Sequence, residues 1–116
     1  MRLVLALIQP TKLKAIQEAL TKVGVVRMTV CDAAGYGQQQ GRLPGNRASE
    51  GRIPLLRKVV LEIAVNEDFL EKTIATIEQT ARTGAAGSIG DGKIFILPAE
   101  EVIRLSDCIR GPEAVS

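Results

Sequence analysis

Residues 58–81 read KVVLEIAVNEDFLEKTIATIEQTA, and the change of period inside this stretch decides the fold. Over 58–65 the side chains alternate, with Val59, Leu61, Ile63 and Val65 on one face and Lys58, Val60, Glu62 and Ala64 on the other, which predicts a strand. At Asn66 the period lengthens. Leu70, Ile74, Ile77 and Ala81 then fall on one helical stripe. Asn66 is placed to cap this helix, and Glu67 and Asp68 occupy its first turn, where carboxylates suit the helix dipole. Gly84 supplies the stop.

Upstream, residues 2–9 form a continuous apolar run too short for a helix, which suits a strand covered on both faces and ended by Pro10. From Thr11 the apolar residues Leu13, Ile16, Leu20 and Val23 lie at helical spacing, and Gly24 closes the helix. Residues 25–33 are rich in β-branched side chains and predict a second strand, closed by Gly35. Downstream, 93–97 reads as a fourth strand and Pro98 opens a short helical turn through Ile103. The tail, 105–116, becomes irregular from Cys108 onward. The order βαββαβ is that of the ferredoxin-like α+β sandwich, a sheet with both helices on one face. The opposite face still carries apolar groups such as Val60, so it is expected to be buried by self-association.

At 116 residues, with 46% apolar and 24% charged residues, the chain has the size and mixture of one globular domain spanning 1–116. Phe69, Phe95 and Tyr36 are the aromatics, so the core is built from Leu, Ile, Val and Ala. A formal charge of +2 without a dense basic patch argues against nucleic acid as a partner. The apolar run 3–8 is too short for a membrane span and lacks a cleavage site, which predicts a cytoplasmic protein without direct membrane insertion. Cys31 and Cys108 stand apart, with no CxxC and no histidine anywhere, which makes a zinc site improbable. Cys31 is expected to be a small buried apolar residue and Cys108 an exposed, inert thiol.

Two loops ask for a function. Residues 36–56 hold Gly37, Gly41, Gly45, Gly51, Pro44 and Pro54 with few apolar anchors; so long a loop in a compact domain is uncommon and is either functional or a tolerated insertion. The second, 84–93, packs Gly84, Gly87, Gly90 and Gly92 before Lys93. Backbone amides in such a loop can converge on phosphate oxygens, although a plain glycine-rich connection would look similar. Residues 87–93 fit GxxxxGK, but Ile94 stands where a magnesium-binding Ser or Thr belongs, so this is not a Walker A motif.

In order and spacing, LIQPTKLKAIQEAL (7–20), GVVRMTV (24–30), GYGQQQG (35–41), KVVLEIAV (58–65), TARTG (80–84), IGDGKIFILP (89–98) and EEVIRL (100–105) resemble the PII signal-transduction family over residues 1–104. That resemblance implies a homotrimer with an adenine nucleotide in each cleft between subunits. The glycine loop, the family's B-loop, would hold the phosphates, and the long 36–56 loop, its T-loop, would touch a partner transporter or enzyme. It places Thr29, Gly35, Gly37, Ile63 and Ala64 around the adenosine. Gly90, Asp91, Gly92, Lys93 and Arg104 would line the phosphates, with Gln38 at a further nucleotide-contacting position. Gln39 and Lys58 match positions that hold a nucleotide-bound magnesium and the carboxylate of 2-oxoglutarate, and Arg47 and Glu50 match partner-contacting positions. On alternation alone, Lys58 and Glu62 would be a solvated strand face.

The departures matter as much. No tyrosine lies between Gly37 and Leu56 to be uridylylated, Gln38 and Ser106 stand where the family carries phosphate-binding arginines, and Ala85, Ala86 and Gly87 look like an insertion in the B-loop. The expected function is a regulator of nitrogen metabolism, a non-enzyme whose loop responds to ATP, ADP or AMP. An alternative is a PII-like sensor of inorganic carbon, with bicarbonate near the T-loop alongside ADP or AMP. A small ferredoxin-like enzyme is the other class. The absence of His, of a paired-carboxylate motif and of a nucleophile-elbow Ser argues against it.

Overall fold

A computed structural model describes residues 1–35 and 56–115. Strand β1 is Arg2–Ile8, followed by a single 3-10 turn at Pro10–Lys12 and helix α1, Leu13–Lys22. Strands β2 (Thr29–Gly35) and β3 (Leu56–Val65) precede helix α2 (Glu67–Ala81), strand β4 (Gly92–Pro98) and the short helix α3 (Pro112–Val115). Among the described residues the four strands form one sheet in the order β2-β3-β1-β4, every neighbouring pair antiparallel. This is the ferredoxin-like sandwich.

Register decides which side chains are buried. Val4 pairs with Ile63, Ala6 with Leu61 and Ile8 with Val59, and all six lie in the core beneath α1 and α2. Ile16 and Leu20 from α1 and Leu70 and Ile77 from α2 close it, each such burial contributing about 1.5–3 kcal/mol. Among the described residues no aromatic is fully buried; Phe69 only packs against the cluster. The buried stripe of α2 differs from the expected one at one position. Thr73 is fully buried, its hydroxyl donating to the Phe69 carbonyl at 2.7 Å, while Ile74 turns toward the groove between α2 and β4.

On the other face Leu3, Leu5 and Leu7 of β1 stand beside Leu97, Phe95 and Lys93 of β4 and Ala64, Glu62 and Val60 of β3. Neither helix covers this side. Phe95 and Leu97 are 47% and 40% exposed.

Further expectations need correction. The second strand starts at Thr29, because Val25 drops into the core on leaving α1 and the chain becomes extended only after it. Cys31 is exposed, since β2 is an edge strand and Cys31 pairs with Val60 on the face away from the helices. Asn66 precedes α2 but makes no side-chain cap; its amide donates instead to the Pro112 carbonyl at 3.1 Å. Finally, no helical turn runs from Pro98 to Ile103. The chain folds back there as a tight hairpin, with the Arg104 amide donating to Ile109 and the Gly111 amide to Val102, and α3 buries Ala114.

Candidate functional site

The glycine loop joins α2 to β4, and its geometry is set from within by Asp91. One carboxylate oxygen accepts the Thr83 hydroxyl at 2.6 Å, and the other accepts the backbone amides of Thr83 at 2.9 Å and Ser88 at 2.8 Å. Partial burial, the largest single influence, pushes the Asp91 carboxyl up. The Thr83 and Ser88 hydrogen bonds and the charge of Lys12 outweigh it, so the group lies below its ordinary value. Asp91 therefore stays ionised and braces the loop. A carboxylate so engaged has its oxygens turned inward to the loop's own donors.

Gly92 begins β4 with φ +116°, and a side chain there would overlap the Leu7 carbonyl oxygen. Only glycine lets the loop land this close to β1. Just before it, the Gly90 carbonyl accepts two side-chain donors, Gln9 Nε2 at 2.6 Å and Lys58 Nζ at 2.8 Å. Lys58 is thus tied to the glycine loop, not simply solvated as alternation alone would have it.

The sequence-predicted residues fall into two groups. Gly90, Asp91, Gly92 and Lys93 gather with Lys58 at the end of the sheet where Ile8 pairs with Val59 and Gly92; Gly35, paired with Leu56, closes β2 on that side. Thr29 sits at the other end, where the β2–β3 ladder stops at its pairing with Glu62. Ile63 and Ala64 continue past it. Ile63 is fully buried under the helices, so only its backbone can meet a ligand. From Lys58 to Ala64 one strand advances about 20 Å, so one chain does not bring the two groups together. Gly37, Gln38, Gln39, Arg47 and Glu50 lie outside the described residues.

Arg104 belongs with the second group and is held by its own tail. Its Nε and Nη2 grip the Asp107 carboxylate, the closest contact being 2.7 Å, and Nη1 donates to the Glu113 carbonyl at 3.2 Å. The hydrogen bond from Arg104 holds the Asp107 carboxyl below its ordinary value, helped by the Ile109 amide. Gln9, Thr83, Ser88 and Asp107 were not anticipated. The signals available were an aspartate between two glycines for the loop, and an aspartate three residues after an arginine for the tail. Among the described residues no group of three His, Cys, Asp or Glu is placed to hold a metal ion, and no helix is long and apolar enough to cross a membrane.

Comparison with known proteins identifies the family. A family model described as "Nitrogen regulatory protein P-II" matches residues 1–108. The "Nitrogen regulatory protein GlnK1" of Methanosarcina mazei is 46% identical over 115 residues, covering 99% of this chain and 97% of its own. The "Nitrogen regulatory protein P-II" of Azospirillum brasilense and that of Nostoc punctiforme are 39% and 41% identical, each over 99% of this chain and 100% of their own. Matched along nearly its whole length, the chain belongs to the nitrogen regulatory protein P-II family, a family of signalling regulators rather than enzymes.

Proposed function

We propose that this protein is a nitrogen-regulatory signalling protein that assembles as a homotrimer, binds adenine nucleotide between subunits and acts on a partner through residues 36–56. The observation that carries this reading is the separation of the two groups of binding residues. Thr29, Ile63, Ala64 and Arg104 lie at one end of the sheet and the glycine loop, with Lys58, at the other. A second copy is what joins them. The apolar face bearing Leu3, Leu5, Leu7, Phe95 and Leu97 supports the same assembly, because a contiguous apolar patch on a small domain marks an interaction surface.

In the resulting cleft Thr29 and the backbone of Ile63 and Ala64 from one copy contact the adenosine, completed by Gly35, Gly37 and Gln38 from the other. Gly90, Gly92 and Lys93 meet the phosphates from the loop side, with Asp91 bracing the loop, and Arg104 reaches them from the neighbouring copy. Magnesium, where present, arrives with the nucleotide, with Gln39 as the protein group beside it. Lys58 and Gln39 take the carboxylate of a small metabolite. Arg47 and Glu50 face the partner, a transporter or enzyme of nitrogen metabolism.

Light scattering combined with titration calorimetry tests this. The expected result is a trimer binding one adenine nucleotide per subunit, with affinity changed by 2-oxoglutarate. A monomer, or a trimer indifferent to every adenine nucleotide, would overturn it. A response to bicarbonate in place of 2-oxoglutarate would move the protein from nitrogen to carbon sensing.

A further inference from the structure

Arg104 presents its Nε and Nη2 edge, the two-pronged side a guanidinium uses to grip a phosphate, to a carboxylate of its own chain. That carboxylate is fixed. Asp107 Oδ1 also accepts the Ile109 amide at 3.2 Å, and the hairpin around it is closed by the Cys108 amide donating to the Arg104 carbonyl at 2.7 Å. Cys108 takes up a left-handed backbone, φ 61°, to make this turn. The tail is then anchored to the body by Asn66 on Pro112 and by buried Ala114. A phosphate approaching that edge of Arg104 therefore meets a formal negative charge already in place.

We infer that Asp107 is a specificity-determining residue of the nucleotide cleft: by occupying the Arg104 fork it lowers the affinity for phosphorylated ligands, and nucleotide binds fully only when the tail yields the arginine. This rests on the nucleotide reading proposed above. Removing the charge while keeping an acceptor for the Ile109 amide releases the arginine without dismantling the hairpin. Asp107→Asn does so, and Asp107→Ser does so with a different side chain. Asp107→Glu keeps the charge.

The experiment measures ADP and adenosine affinity on the trimer of each variant, by calorimetry for ADP and by competition for adenosine. Asp107→Asn and Asp107→Ser should each bind ADP about two- to fivefold more tightly, the size of an exposed ion pair. Adenosine, which has no phosphate, should bind unchanged, and Asp107→Glu should behave like the unmodified protein. In an Arg104→Gln background the gain from Asp107→Asn should vanish. The inference is overturned if ADP affinity does not rise in either neutral variant, if adenosine gains equally, or if the gain survives without Arg104. Absence of ADP binding in every variant and in the unmodified protein would overturn the cleft itself, a result separable from an unchanged ADP affinity.

Discussion

Replacing Gly92 by alanine is the sharpest test of how the glycine loop meets the sheet. Its backbone is at φ +116°, where an L side chain costs about 1–2 kcal/mol, and the added Cβ would overlap the Leu7 carbonyl oxygen, a backbone atom that cannot rotate away. The start of β4 must then lift from β1. That loosens the pairing of Ile8 with Gly92 and of Leu7 with Lys93, about 1 kcal/mol for each hydrogen bond lost. The sum is about 3–4 kcal/mol. Gly84→Ala is the matched control: Gly84 has φ +69° but nothing within 4 Å of the added carbon, so only the conformational cost applies, about 1 kcal/mol. Urea unfolding at one fixed protein concentration measures both, with the midpoint and slope reported separately. Nucleotide affinity should fall with Gly92→Ala because Gly90 and Lys93 move with the strand end. If Gly92→Ala is no more destabilising than Gly84→Ala, the close approach to Leu7 is not what selects glycine here.

The remaining expectations concern assembly, acid and ligand choice. Leu5→Arg places a charge on the sheet face between Glu62 and Phe95 and should convert the proposed trimer to monomers by light scattering; a trimer that persists would show that this face is not the interface. Because the folded Asp91 carboxyl lies below its ordinary value, its bracing is fully present at neutral pH and is lost as pH falls through its folded value, beneath the ordinary value of about 3.9. Amide exchange at Thr83 and Ser88 should rise across that window beyond the intrinsic pH effect, and Asp91→Asn should remove the excess. ADP or AMP should bind at least as tightly as ATP, since neutral Gln38 and Ser106 forgo charge-assisted hydrogen bonds worth about 1.5–3 kcal/mol each. Calorimetry showing a tenfold preference for ATP would refute this, and Gln38→Arg with Ser106→Arg should improve ATP selectively.

Alternation at Val59, Leu61, Ile63 and Val65 and the longer period after Asn66 are local signals, and the structure honours both because the same faces that repeat in sequence turn toward one core. The failures are non-local. Val25 looks like strand, yet α1 delivers it into the core before the sheet begins. The tail defeats periodicity because its order comes from the Ile103–Arg110 pairing and from Asn66, more than forty residues away in sequence. Cys31 is a residue type usually buried, but burial on β2 depends on what covers the second face of the sheet, and among the described residues no helix does.

The site was less legible than the fold for a related reason. Glycine density announces that a backbone needs freedom, but not which constraint demands it: Gly92 answers to the Leu7 carbonyl, whereas the loop around it is shaped by the Asp91 carboxylate. Alternation gives Lys58 to the open face correctly, yet cannot foresee that the Gly90 carbonyl, thirty-two residues on, is waiting for its ammonium group. Arg104 carries the same lesson in reverse. The family resemblance implies a phosphate for it, whereas the folded chain gives it a carboxylate, because Asp107, three residues further along, reaches the same fork. Period encodes which face a side chain takes; which partner it finds there depends on segments that the fold, or a second copy of it, brings into reach.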